Sequence, residues 1–425
     1  MASSLLTIAL LYFLLILFAT RQVRSKYTVV LQFATSWTII ELAWGHAAFS
    51  AITLIMAIGD LNDWTFSTVV GFALTCYNIV LFLQLHQEGE ESRAGMEQAL
   101  KRDLGEEFTG KILPERKELI EPILKAHEMK WLRPFRFYSA EIECISGIRY
   151  GEEERNSLDL FRPLSPPSAP RPVMLQIHGG GWILGYGERQ GLPLRNKLVE
   201  AGWIFVSINY RLSPQHKFPA HLVDCKRALH WIKENIAHYG GDPDFILVTG
   251  GSAGGHLASL VALTANQKPQ LLQPGFESAD TSVQGCIPVY GVYDFVDRHQ
   301  LRSDIPVKDF LEDKVMPATL EQDPALWDLA SPIAQVHEQR PPFLVLHGEF
   351  DTLSFVDDAR YFVEELKKSG GSAPCAYVEL PKTQHAFDIF YSPRCIHAIR
   401  VMHTFAEYLY SGYLAQKGAG ETPAI

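Results

Sequence analysis

Hydrophobic positions along the chain fall into two regimes that meet near residue 87. Before it they form long uncharged runs, Ser4 to Thr20 (SLLTIALLYFLLILFAT) and Phe66 to Leu85 (FSTVVGFALTCYNIVLFLQL). Each is close to the ~20 residues a helix needs to cross a hydrocarbon core. Between them, Tyr27 to Ile58 is apolar apart from a few polar positions that include Glu41 and His46. That stretch is too long for one untilted span and too short for two, so it predicts one tilted helix and three spans over residues 1–87. Arg21, Arg24 and Lys26 follow the first run and no basic side chain precedes it, which fits a retained anchor better than a cleaved leader. The positive-inside rule places that basic loop in the cytoplasm and the loop GDLNDW outside. The expectation is therefore a multi-pass membrane protein with everything after residue 87 on the cytoplasmic side. Glu41 and His46 are spaced to pair with each other or to sit near an interface, and a separate role for either stays open.

After residue 87 the pattern changes. Residues 88–144 are charged and helical in character. Leu119, Ile120, Ile123 and Leu124 recur at helical spacing, ahead of Trp131, Phe135 and Phe137. They predict a connector that docks on the following domain and is placed to cover a site there. LSPPSAPRP (Leu164 to Pro172) is a loop. From Val173 short β-rich runs (VMLQIHG, WIFVSINY, FILVTG, VQGCIPVYGV, PFLVLHG, CAYVELP) alternate with amphipathic helices. Buried strands alternating with helices predict an α/β domain over 145–415, a doubly wound, mostly parallel sheet covered on both faces. A polar insert at 295–335 interrupts the alternation and is expected to cap a pocket. Residues 416–425 read as a disordered tail.

Composition narrows the field. The net charge is −10 over 425 residues with no Lys/Arg cluster, which argues against a nucleic-acid surface. The six cysteines are scattered, with no spacing that suggests zinc or a disulfide framework, and read as reduced thiols. No metal or organic cofactor is implied.

The chemistry concentrates in four short stretches. Gly250-Gly251-Ser252-Ala253-Gly254 lies between a strand-like and a helix-like run, the context of a nucleophile elbow. Upstream, His178-Gly179-Gly180-Gly181-Trp182 ends a strand in consecutive glycines, whose backbone N–H groups are free to point into a cavity and stabilise an oxyanion. No G-K-[ST] follows, so a phosphate cradle is a poor reading. A serine hydroxyl needs a base held in one tautomer by an acid. HGEFD and QHAFD supply Asp351 and His385, each in the loop after a strand and in the order Ser, Asp, His. Asp351 has Asp357, Asp358 and Glu349 as alternatives. His256 could face the site, but packing along the elbow helix is the plainer reading.

From about residue 145 to 410, HGGGW, INYRLSPQHKFPAHLVDCKRALHWI, GGDPDFILVTGGSAGGHLA, HGEFD and QHAFD together resemble the hormone-sensitive-lipase-like group of α/β-hydrolases. With its amino-terminal segments the chain looks like the membrane-associated esterases of actinobacteria, and more distantly like membrane-anchored arylacetamide deacetylases. The resemblance implies Ser252 as nucleophile, His385 as base, Asp351 as its orienter, and the N–H groups of Gly180, Gly181 and Ala253 as the oxyanion hole. It implies a carboxylesterase or lipase acting on a hydrophobic ester beside a lipid bilayer. Tyr210 and Asp224 match family positions with a structural role. One departure is Gly251, where the group usually carries an acid. It leaves amide, formamide or acetyl-group hydrolysis open on the same triad, and a non-catalytic hydrolase-fold receptor is the remaining rival.

Overall fold

The computed structural model describes residues 2–21, 25, 27–58, 65–127, 132–135, 139, 141–302 and 307–420. Four apolar helices come first: α1 (Ala2–Ala19), α2 (Val29–Glu41), α3 (Ala43–Ile58) and α4 (Phe66–Leu104). The run expected to form one tilted helix is two, α2 and α3, bent by 76°. The break has no proline; it falls at Glu41 and Leu42, where the Glu41 carboxylate accepts a hydrogen bond from Ser392 Oγ in the α/β domain. Among the described residues one helix, α4, is long and apolar enough to cross a membrane, or two if the bent pair counts as one span. The apolar part of α1, Leu5–Ala19, is shorter. Arg24 and Lys26 of the basic loop lie outside the described residues.

The change of composition near residue 87 does not break the helix. α4 continues for 39 residues, and its polar second half lies on the α/β domain. Ion pairs tie it there: Glu88 to Lys382 at 2.7 Å, Glu90 to His397 at 3.2 Å, Glu97 to Arg400 at 3.1 Å and Asp103 to Lys367 at 2.8 Å. The connector helix is α5 (Pro114–His127). Its Arg116 forks onto buried Glu407 with two 2.7 Å bonds, and Ile120 packs with Ile112 against Tyr408. The side chains of Ile123 and Leu124, and all of Trp131 and Phe137, lie outside the described residues.

Eight strands follow: β1 (Ile142–Arg149), β2 (Ser157–Pro163), β3 (Arg171–Ile177), β4 (Ile204–Asn209), β5 (Gly241–Gly251), β6 (Gly285–Val289), β7 (Phe343–Gly348) and β8 (Cys375–Leu380). They form one sheet in the order β1-β2-β4-β3-β5-β6-β7-β8. The β1/β2 and β2/β4 pairs are antiparallel and the rest parallel. Every residue of β3 and β6 is buried, as strands covered on both faces require. The helices are α6 (Leu192–Glu200), α7 (Ala220–Asn235), α8 (Ala253–Leu263), α9 (Pro269–Leu272), α10 (Val307–Phe310), α11 (Pro324–Leu329), α12 (Val356–Lys368) and α13 (Pro393–Gly420). One core layer joins the sheet to α7, α8 and α12, through Leu222, Leu257 and Phe362. The other joins it to α6, α13 and the end of α4, through Leu198, Phe405 and Leu100. α13 runs on to Gly420, so residues 416–420 of the expected tail are helical, and 421–425 lie outside the described residues.

Candidate functional site

β5 runs directly into α8, and the residue at the corner is Ser252 with φ 58° and ψ −124°. A side chain at positive φ costs about 1–3 kcal/mol and persists only where its surroundings insist on it. Here they do. Ser252 N donates to Val289 O at 3.0 Å. A Cβ on Gly250 would lie 2.5 Å from the Gly254 backbone, and one on Gly254 would lie 2.1 Å from Ile177 O. Glycine at both positions lets the helix start against the end of β3.

The glycine loop after β3 is held from behind. Gly180 and Gly181 have φ of 121° and 59°, and a Cβ on Gly180 would meet Leu184 O at 2.1 Å. Gln190 Oε1 accepts Gly179 N at 2.7 Å. Tyr210 donates to His178 O at 3.0 Å and stacks on its ring at 4.2 Å, while Arg211 grips both oxygens of Asp224. Tyr210 thus holds backbone, and Asp224 does so as well by accepting Arg211 N at 2.9 Å. Burial lowers His178 to about 4, so it is neutral. Gly180 and Gly181 line the same cavity as Ser252. Ala253 opens α8, where helix amides have no intrahelical acceptor.

Asp351 follows β7 and His385 follows β8, at the carboxyl ends of the strands. Asp351 Oδ2 accepts His385 Nδ1–H at 2.6 Å, and Oδ1 accepts the amides of Leu353 and Ser354 at 2.9 and 2.8 Å. Burial opposes ionisation of Asp351, but the His385 imidazole and the hydrogen bonds from His347 and His385 outweigh it and hold the carboxyl at about 2. The alternative acids are engaged elsewhere. Asp358 takes Arg302 and Tyr293 N, Asp357 takes Arg360, and Glu349 accepts Lys382 N. Ser252 and His385 face one cavity without a hydrogen bond between them. Such bonds are often long before substrate is bound.

Two residues of this constellation, Gln384 of QHAFD and His347 of HGEFD, were given no role by the sequence. Gln384 Oε1 accepts Thr352 N at 2.8 Å and His385 N at 2.9 Å, cross-linking the acid and base loops. His347 Nε2 bonds Ser354 O at 2.6 Å and lies 3.4 Å from Asp351 Oδ2, closing the far side of the acid. The signal that could have found them is their place as the opening residues of those two motifs.

The cavity holds about 450 Å³ and is lined by Phe33, Leu184, Leu194, Leu353, Ile389 and Met402 around the glycines, Ser252 and His385. No described residue of the insert at 295–335 is among its walls. Phe295, Leu311, Val315 and Trp327 instead join the core, because the insert's apolar side chains turn toward the sheet. It braces the glycine loop: Trp182 Nε1 donates to His256 Nδ1 at 3.2 Å, His256 Nε2 to Ala330 O at 2.7 Å, and Phe295 stacks on that imidazole at 4.4 Å. His256, lowered by burial to about 3, is packed along the elbow helix. The wall in front of the site is Phe33 of α2.

Gly251 also has a physical reason. A Cβ there would lie 2.5 Å from Tyr290 Oη and 2.7 Å from its ring. Tyr290 fills the space beside the serine, donates to Asp388 Oδ1 and sits 4.6 Å from the His385 ring. Among the described residues no group of three or more His, Cys, Asp or Glu is arranged to hold a metal ion.

Residues 158–366 match the BD-FAE family model. The chain is 45% identical over 289 residues to Esterase LipQ of Mycobacterium tuberculosis, covering 67% of each protein. It is 44% identical over 299 residues to the probable carboxylic ester hydrolase LipM of the same organism, covering 70% of this chain and 68% of LipM. Among solved structures, esterase B from Lactobacillus rhamnosis superposes with a TM-score of 0.56 at 21% identity, over 73% of this chain and all of that one, a likeness of fold.

Proposed function

The chain belongs to the hormone-sensitive-lipase-like carboxylic ester hydrolases, and we propose that within this family it is a membrane-anchored serine esterase working through Ser252, His385 and Asp351. Ser252 Oγ attacks the ester carbonyl carbon while His385 Nε2 takes its proton, and Asp351 holds the ring by Nδ1–H and stabilises the imidazolium. The N–H groups of Gly180, Gly181 and Ala253 receive the oxyanion, each such donor being worth about 3 kcal/mol. Collapse expels the alcohol, which leaves with the proton from His385, and an acyl-Ser252 ester remains. Water repeats the route, releasing the acid and restoring the serine. The observation that carries this reading is the 2.6 Å Asp351–His385 bond opening on the same cavity as Ser252 at its positive-φ corner.

The apolar walls of that cavity favour a hydrophobic, lipid-like ester, and Leu184, Leu353 and Ile389 stand exposed at its rim. Membrane insertion is supported by large apolar side chains that α1 to α4 leave exposed, Leu14, Val30, Ile55 and Phe66 among them. In this reading the basic loop after α1 and the α/β domain share the cytoplasmic side.

The test is hydrolysis of p-nitrophenyl esters of increasing chain length by the full chain and its Ser252→Ala variant. Loss of at least about 10³-fold in kcat with the variant is expected; a folded variant that keeps its activity excludes Ser252 as nucleophile. Resistance of the protein to carbonate extraction from membranes is expected as well, and its release would remove the anchor.

A further inference from the structure

We infer that α2, a segment of the apolar amino-terminal region, is a working part of the active site: Phe33 is a wall on which the ester lies, and Trp37 positions the loop of His385. This rests on the Ser252–His385–Asp351 reading and adds residues to it from outside the α/β domain.

Val29, Phe33, Trp37 and Glu41 are spaced four apart and form one ridge of α2. Each meets a loop of the site. Thr352, next to Asp351, donates its hydroxyl to Val29 O at 3.2 Å. The Phe33 ring lines the cavity and stands edge-on to the His385 imidazole, centroids 6.1 Å apart. Trp37 Nε1 donates to Ala386 O at 2.9 Å, and its ring stacks on Phe390 at 4.4 Å. Glu41 accepts from Ser392. Ile39 and Ile40, off this ridge, are buried among the apolar helices with Ile16 and Phe82. With two faces engaged, the rotation of α2 about its axis is set.

The Trp37 contact is more than docking because of where it lands. Ala386 follows His385 directly and has φ 57°, a conformation that a non-glycine residue keeps only when its surroundings impose it. The orientation of that peptide helps set the direction of the imidazole. On its amino side the histidine is held by Gln384 Oε1 accepting its N–H, and on its carboxyl side Trp37 holds the next carbonyl. The ring itself stands between Phe33 and Tyr290. A helix that meets both the acid and the base loop keeps them in register with each other.

The test uses the full chain in detergent micelles and an ester series from short to long acyl groups. Phe33→Ala and Phe33→Leu should raise kcat/KM for long esters relative to short ones, and Phe33→Trp should lower it, by about tenfold, because a methylene in an apolar pocket is worth about 10–200-fold in discrimination. Trp37→Phe keeps a ring on Phe390 and removes the N–H. It should lower kcat about fivefold, the worth of one hydrogen bond, with KM and melting temperature near wild type, and it should slow phosphonate labelling of Ser252 to match. A variant role confined to docking would change melting and leave these ratios alone. If Ser252→Ala is inactive while the Phe33 variants keep the wild-type chain-length ratio and Trp37→Phe keeps its kcat, the inference about α2 is overturned and the triad stands. If Ser252→Ala stays active, the triad reading fails first.

Discussion

Replacing Asp351 with Asn keeps the side chain's shape and removes its charge. In the native loop the carboxylate accepts two backbone amides on Oδ1 and the His385 Nδ1–H on Oδ2. An amide in the same orientation keeps its oxygen on the backbone donors and turns its NH₂ toward His385. Nδ1 must then accept, the ring proton moves to Nε2, and the nitrogen facing Ser252 loses its basic lone pair. The opposite orientation sets an NH₂ against two buried N–H donors and costs about 1–3 kcal/mol for each lost bond. The expected result is a loss of about 10⁴-fold in kcat, or about 5.5 kcal/mol at about 1.36 kcal/mol per tenfold. The same carboxyl carries a stability signature. Its folded pKa of about 2 lies below the ordinary 3.8. Its contribution is therefore complete above the unfolded value and lost as pH falls through about 2, an amount of about 2 kcal/mol. The assay is kcat on a p-nitrophenyl ester per titrated active site near neutral pH, paired with denaturant unfolding at neutral and acid pH. Retention of more than about one tenth of kcat by folded Asp351→Asn would refute the assignment.

Two further outcomes follow from other contacts. Gly251→Asp, which restores the acid usual in the family, drives a Cβ into the Tyr290 ring and should cost about 1–3 kcal/mol by overpacking. Melting temperature and kcat should both fall, and pairing the change with Tyr290→Ser should recover stability; an unperturbed single variant would contradict the steric reason for Gly251. Asp224→Asn strips buried Asp224 of the charge that pairs with Arg211, which is partly exposed and keeps Glu153, and should cost about 1–3 kcal/mol. Because neither residue lines the cavity, kcat per folded molecule should stay near wild type, and a large fall in it would point to a direct catalytic part.

Ser252, Asp351 and His385 stand out in the sequence as candidates because each follows a strand whose apolar run is plain, and because an elbow demands small neighbours. Gln384 and His347 were visible as members of QHAFD and HGEFD, but their bonding partners were not, since these contacts form only once the loops are folded. The same holds for Phe33 and Trp37, which read as two more apolar residues of a membrane-like run until α2 meets the α/β domain. The bend between α2 and α3 falls at Glu41 and Leu42, with no proline to announce it. β1 and β2 escaped the alternation of strand and helix because they form an antiparallel pair at the sheet edge. The insert at 295–335 has the polarity of a cap, while its large side chains Phe295, Leu311, Val315 and Trp327 pack inward.

α4 is one uninterrupted rod of about 58 Å at about 1.5 Å per residue, apolar for its first half and riveted to the α/β domain along its second. No hinge separates its two halves, so under the proposed membrane anchoring the domain would hold one fixed height and tilt on a bilayer. An enzyme mounted in that way would sample only substrate diffusing laterally beneath its mouth. Its rate should then scale with the mole fraction of ester in the lipid, and diluting the ester with inert lipid at constant bulk concentration should slow it.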